Sequence, residues 1–447
     1  MKKIVSLILV LSMCLALSSC ALDFGDLFGS VDPQDYSLAS AAQAVKVGYS
    51  EAREESYVAF IEKLDAFAAK LTYEVYADSD KRTNVCISPV SVYMALALAT
   101  ECSSGETRDE ILSAVGVTYS EVKSFTKTLY SLSNREFYYY NAVGEKKVNA
   151  FEELANSIWI NKNSTFKEEG INNLANNFNC DLFSVDFESN EGERAVSAYI
   201  KEKTHGIIDT DVDLHPETLI TIINTFYLKE VWNEHGDKLK FTDESYNFEN
   251  ADGSVTNTKL LKGYYFNGKV YEGDGYTSFY TKTDHGFEIK FIVPTDGQHT
   301  LEEVFTEDNI YNINNLGDYG YVDDENRQLH YTRVFFPEYT ASYDGNLAKI
   351  LKDDFGINDL FDIERCDFSN VTDELIFVDG VIHKCSLDVN ARGIEGAAVT
   401  AMPGAGASGP PEYEEVYHDY IVDRAFGFVI TDSYGAVIFS GVVNSVK

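Results

Sequence analysis

Asp388-Val-Asn-Ala-Arg-Gly-Ile-Glu-Gly-Ala-Ala-Val-Thr-Ala-Met-Pro-Gly-Ala-Gly-Ala-Ser-Gly-Pro-Pro411 is the stretch on which the fold turns. Ser386 to Val389 has strand character, Gly393 breaks it, and from Gly396 to Ala407 nearly every side chain is small. Small residues resist neither bending nor burial, so such a segment can be a loop in one state and a strand in another. On composition alone, a flexible Gly/Ala/Ser linker and a long functional loop are both open readings. The surrounding chain decides between them.

The chain has 447 residues, with 36 basic against 72 acidic side chains and a net charge of −36. Anionic nucleic acid and anionic membrane surfaces are repelled by such a charge, so neither is expected as a partner. A hydrophobic content of 45%, with 28 Phe and 29 Tyr, is enough for a large core and excludes disorder over most of the length. Length alone suggests two or three domains. No linker or repeat appears after residue 50, however, and residues 52–447 read as one domain.

Residues 1–20 read as a targeting segment: Lys2 and Lys3, then the apolar Ile4–Leu17, too short to span a membrane. Leu17-Ser18-Ser19-Cys20 resembles a bacterial lipobox, which makes Cys20 the expected lipidation site, and 21–51 a flexible tether. An ordinary signal peptide is the alternative. The cysteines Cys86, Cys102, Cys180, Cys366 and Cys385 form no CxxC pair and are odd in number, so neither a metal cluster nor a dense disulfide framework is expected.

Residues 52–77 space Tyr57, Phe60, Ile61, Leu64, Phe67, Leu71 and Val75 at helical steps. Ser88 is placed to cap a helix with Pro89 at its first position, and that helix is apolar nearly all round, as a buried helix is. Further helices are expected near 119–133, 166–177, 191–205 and 345–355. Thr218–Leu228 is β-branched without alternation, as in a strand covered on both faces. Short strands follow at 264–271, 279–281, 287–293 and 333–336, and the chain closes with strands at 426–431 and 436–443. Early helices followed by later strands describe an α+β domain.

Five motifs in order now resemble the serpin family. They are Asn84…Ser88-Pro89-Val-Ser91 with Gly105-x-Thr107; Ile223-Asn-Thr-Phe-Tyr-Leu-Lys229…Trp232; Val381-Ile-His-Lys384 ten residues before Gly393; Phe426-x-Phe-x-Ile430; and Ile438-Phe-x-Gly441-x-Val443. The resemblance covers about 52–444. It implies a fold of three β-sheets with about nine helices and an exposed reactive-centre loop over about 391–420. Glu230 where Gly is usual, Ala425 and Asn444 where Pro is usual, and insertions at 134–149 and 412–425 depart from the pattern.

The resemblance implies a serine protease inhibitor that forms a covalent acyl complex and then inserts its cut loop as a strand. The hinge would be Gly393, Ile394, Glu395, Gly396, Ala397, Ala398, Val399 and Thr400, with Ile394 bulkier than the usual Thr. Fourteen residues on from Gly393, the reactive bond falls between Ala407 and Ser408, which suits an elastase-like or subtilisin-like target. A cut near Tyr413 by a chymotrypsin-like enzyme, a papain-like target, and a non-inhibitory serpin acting as a surface binding protein are the alternatives. Glu412, Glu414, Glu415 and Asp419 read as a solvated surface turn, with an exosite contact as the alternative.

Ser88, Ser91, Asn224 and His383 fall by resemblance on a shutter under the central strands, hydrogen-bonded to one another, and Trp232 falls on the breach above it. A Ser and a His also suggest a hydrolase, yet the chain has no G-x-S-x-G elbow and no H-E-x-x-H, and Ser88 opens a buried helix. No enzymatic activity, metal or cofactor is expected. The implied protein is a monomeric, extracellular cell-surface lipoprotein of a bacterium, touching membrane only through Cys20.

Overall fold

Burial follows the apolar spacing of the chain in a computed structural model of residues 31–447, in which 49, 210, 213, 215–218, 233–237, 264–269, 296, 315–321, 324–327, 379 and 395–413 are not described. Helix α1 (Glu55–Asp78) buries the seven apolar residues named above. Helix α2 (Pro89–Cys102) is buried at every position, and the Ser88 hydroxyl accepts from the Ser91 N–H at its start. Helices α3 (Gly105–Val115) and α4 (Tyr119–Leu132) follow; Thr118 and Glu121 close a capping box on α4. Then come α5 (Glu168–Asn177), α6 (Asn190–Lys203), α7 (Leu301–Val304), α8 (Glu307–Asn314) and α9 (Ala348–Asp353), nine α-helices among the described residues. The helix expected from 345 starts later because the strand before it runs through Asn346, whose side chain then accepts the Ala348 N–H.

Strands are numbered along the chain. The largest sheet holds β1 (Ser37–Ala39), β3 (Asn134–Tyr140), β4 (Lys146–Asn161), β5 (Cys180–Val185), β6 (Ile220–Val231), β15 (Tyr339–Asn346), β16 (Ile382–Asn390) and β17 (Gly393–Ile394). Its order is β1-β5-β4-β6-β17-β16-β15, with β3 on β4. A second sheet runs β10 (Tyr271–Glu272), β11 (Tyr276–Lys282), β12 (Glu288–Pro294), β19 (Phe426–Thr431), β20 (Val437–Val443), β2 (Val85–Ile87). A third joins β13 (Val322–Asp323), β14 (Gln328–Phe336) and β18 (Glu414–Ile421), with β9 (Leu261–Lys262) on β14; β7 (Tyr246–Glu249) and β8 (Val255–Thr258) form a separate hairpin. Helix α2 and the strand β6, buried at every position but Lys229, meet in the core between the first two sheets. The expected α+β architecture of three sheets is present.

The insertion at 134–149 forms β3 and the first part of β4, a hairpin that extends the large sheet. Of the tether expected over 21–51, residues 31–48 lie on the domain, and 21–30 fall outside the described residues. β1 pairs with β5, Asp181 accepts the Ala41 N–H at 2.8 Å, and the Ala42 N–H donates to Ala175 O. Pairing covers an edge of β5 that would otherwise present unpaired backbone groups. The Asp181→Ala change removes the acceptor for Ala41, and a hydrogen bond to a charged group is worth roughly 1.5–3 kcal/mol. Hydrogen exchange at the Ala41 amide should therefore quicken by about tenfold or more, while α2 amides stay unchanged; unaltered exchange at Ala41 would show that this segment is held by other contacts.

Candidate functional site

β16 turns back on itself through Ala391-Arg392 and continues as β17, so the hairpin inserts two residues between β16 and β6. Gly393 faces Val231 and Asn390; Ile394 faces Glu230 and Val389. The approach is close enough that a Cβ on Gly393 would sit 1.9 Å from the Glu230 carbonyl oxygen. Only glycine fits there. Ile394 is completely buried, so the side chain bulkier than the usual Thr is accommodated in the core. The Trp232 indole N–H donates to Asn390 O at 2.8 Å, and the Ala391 N–H donates to Glu338 at 2.8 Å, which fixes the hairpin from both sides.

Beyond Ile394, β6 and β16 lie alongside one another without a shared ladder, among the described residues. Two narrow cavities occupy the interval. One is lined by Phe226, Tyr227 and Leu228 on β6 and by Ser386, Leu387 and Asp388 on β16. The other lies farther along, between Ile223–Thr225 and Ile382 and Lys384. Both strands are antiparallel to β17 and hence parallel to one another, so the slot has the polarity for one more antiparallel strand.

At the far part of this slot the four shutter residues come together, though not as a single mutually bonded group. The Ser91 hydroxyl donates to Asn224 Oδ1, and Asn224 Nδ2 donates to Asn156 Oδ1. His383, on the opposite bank, accepts the Ser88 N–H through Nε2 at 3.1 Å. The expected direct bond between Asn224 and His383 is not among these contacts. The first turn of α2 instead holds each bank separately. Burial lowers the His383 imidazole from the ordinary 6.5 to about 4, so the ring is neutral at pH 7 and its Nε2 lone pair is free to accept. Asn156, beside Ser157 in β4, is a member that sequence reasoning missed.

Around the hinge lies a buried ionic cluster, which the sequence showed only as a departure at Glu230. Glu230 accepts from His285 Nδ1 at 2.8 Å, and Phe137 of the inserted hairpin stacks on the His285 ring at 4.4 Å. Arg135 of the same hairpin pairs with Glu152, which is buried, and lies 3.9 Å from Asp432. Burial pushes the Glu152 carboxyl up to about 8 even with Arg135 beside it, and raises Glu230 against the pull of His285. None of these groups is exposed as a nucleophile would be.

Glu395, Gly396, Ala397, Ala398, Val399, Thr400, the bond Ala407–Ser408, and Cys20 lie outside the described residues. The loop expected over 391–420 is bounded more tightly, because 414–421 is β18, parallel to β14 from Glu414 to Ile421. Asp419 is held by Arg333, Tyr417 stacks on Tyr331 at 5.4 Å, and Tyr420 packs on Phe279 at 5.3 Å. Asp419 therefore sits in a paired strand and not in a solvated turn. The β-branched and aromatic residues Val416, Tyr417, Tyr420 and Ile421 are the signal that reading the segment as an insertion overlooked.

The serpin (serine protease inhibitor) family model matches residues 62–446, so this chain belongs to the serpin family. Alpha-1-antiproteinase of Rattus norvegicus is 25% identical over 413 residues, covering 89% of this chain and 91% of the relative. The thermophilic serpin tengpin in its native state superposes with a TM-score of 0.69 at 20% identity, covering 93% of this chain and 99% of that one. Human thyroxine-binding globulin, in complex with its ligand, superposes with a TM-score of 0.69 at 19% identity, covering 87% and 99%. The family is in general one of protease inhibitors and not of catalysts, and some of its members are non-inhibitory.

Two outcomes follow from this geometry. Gly393→Ala forces a methyl group into the Glu230 carbonyl and should displace β17, at a cost of about 1–3 kcal/mol as overpacking usually incurs. Exchange at the Ile394 amide should rise steeply; protection equal to the parent protein would refute the close approach. The folded value of His383 lies below its ordinary one, so the folded state binds fewer protons. Its contribution is complete above about pH 6.5 and falls by about 3 kcal/mol as pH drops towards 4. Denaturant unfolding from pH 7 to 4.5 should show a shallower loss of stability in His383→Gln than in the parent, and identical slopes would assign the acid sensitivity elsewhere.

Proposed function

We propose that this protein inhibits serine proteases by presenting the segment after Ile394 as a substrate and then drawing it into the slot between β6 and β16. The observation that supports this best is β17, a two-residue strand already seated at one end of a slot of matching polarity. If its register continues, Gly396 lies between Leu228 and Leu387, Ala398 between Phe226 and Cys385, and Thr400 between Asn224 and His383. Leu387, Cys385 and His383 all face the core, so the residues that would join them are small, with a hydroxyl only where polar partners wait. Glu395, Ala397 and Val399 would alternate to the other face, which places the one charge away from the core.

In this mechanism the protease serine attacks the Ala407 carbonyl carbon, and the Ser408 amine leaves as a new chain terminus after taking up a proton. The ester to Ala407 remains. The freed segment from 395 to 407 then inserts over about 40 Å at the usual strand rise, carrying the protease before water cleaves the ester. The energy comes from a native fold held above its minimum by a barrier, a loop-insertion switch of kinetic stability.

Incubation with an elastase-like or subtilisin-like protease should give a complex that survives denaturant, and a released peptide beginning at Ser408. Ala398→Arg should yield cleavage without complex, because an unpaired charge would have to enter the core between Phe226 and Cys385 at a cost of several kcal/mol. Ala407→Arg should move inhibition towards trypsin-like enzymes. Cleavage without complex by the parent protein would instead favour the second reading, a non-inhibitory binding protein, for which the fully buried Ile394 is the specific observation. We place the monomer at a bacterial cell surface, outside the cell, anchored through lipidated Cys20; Cys20→Ala should release it into the medium.

A further inference from the structure

Cys86 on β2 and Cys385 on β16 lie with their sulfur atoms 3.5 Å apart, 299 residues apart along the chain. Both are buried and unlinked. They belong to different sheets, since β2 is an edge of the second sheet and β16 is one bank of the slot. They also flank the shutter, with Cys86 two residues before Ser88 and Cys385 two residues after His383. Hydrogen bonding joins the same two strands there, through the Ser88 N–H and His383.

We propose that Cys86 and Cys385 are a site of intramolecular disulfide formation, a covalent link that fixes the β16 bank of the slot to β2. One Cys thiolate attacks a disulfide oxidant such as oxidised glutathione, forming a mixed disulfide and releasing one thiol. The second Cys sulfur then attacks the mixed disulfide and releases the other. The pair loses two electrons and two protons, and the oxidant's disulfide is reduced to two thiols. The sulfurs must close from 3.5 Å to about 2.05 Å.

Burial governs when this happens. The Cys86 thiol has no solvent access, and burial pushes its ionisation well above the ordinary thiol range, so little attacking thiolate exists in the folded protein. The link therefore forms while the chain folds, and once formed it is shielded from reductant in the same way. A linked chain holds Ser88 and His383 in place through the backbone on either side. The bank that would receive Ala398 is then fastened to the second sheet.

The test is to refold the full chain from denaturant in a glutathione redox buffer, with refolding in dithiothreitol as the reference. We expect two fewer thiols per chain titratable in denaturant, and a cross-linked peptide pair containing Cys86 and Cys385 in mass spectrometry. The midpoint of denaturant unfolding should shift upward and return on adding dithiothreitol. Cys86→Ser and Cys385→Ala should each abolish both the thiol loss and the shift, and the Cys385→Ala protein, with its small apolar replacement, serves as the folded control. An unchanged thiol count overturns the proposal, as does a link among Cys102, Cys180 and Cys366, a disulfide-bonded dimer, or a linked chain with an unshifted midpoint.

Discussion

β6 and β16 run side by side in one direction and share a strand partner only at Gly393 and Ile394, among the described residues. Along the rest of that interval two narrow cavities lie between the strands, which form no shared ladder among the described residues. Buried backbone groups normally find partners, so a further strand between β6 and β16 would be stabilised by hydrogen bonds to both. If the register of β17 continued, residues 395–401 would lie between the two strands, a gain on the order of 10 kcal/mol at about 1 kcal/mol per bond. α2 holds the two banks of the slot through separate hydrogen bonds, and the Gly393 contact with Glu230 holds the first two residues of the insert in place.

The ionic cluster above the slot shows how departures from a family pattern compensate one another. Glu230 places a carboxylate at the buried end of β6, directly opposite Ile394. A buried carboxylate is costly unless paired, and His285 pairs it. The inserted hairpin covers His285 with Phe137 and supplies Arg135 to Glu152 and Asp432. The extra hairpin and the unusual Glu230 are thus one structural unit at the end of the slot where insertion begins.

How far the sequence could be read depended on the range of the interactions involved. The buried helix after Ser88-Pro89 and the strand expected over 218–228, which runs from Ile220 to Val231, are local patterns and were legible; the break expected at Gly393 falls instead at Ala391-Arg392, and Gly393 opens β17 because its partners on β6 and β16 are distant in the chain. Ser88, Ser91, Asn224 and His383 were found through the family pattern, but their wiring was not. Which bank each one serves depends on strands distant in the chain. Asn156, His285 and Cys86 opposite Cys385 were missed for the same reason: their partners lie 68, 55 and 299 residues away. The docked segment 31–48 was read as tether because it lacks periodicity; its pairing comes from the free edge of β5. β18 was hidden because its acidic and tyrosine-rich composition suggests a loop, while its partners on β14 make it a strand.

The central claim is that β6 and β16 can part to admit a strand from the chain's own cleaved segment. Thermal unfolding of the chain before and after a single proteolytic cut within 395–413 tests this most directly. The account predicts that the cut chain, with its hinge free to enter the slot, unfolds at a temperature higher by tens of degrees, in keeping with a gain on the order of 10 kcal/mol in a large domain. A midpoint that is unchanged or lowered by the cut would contradict it.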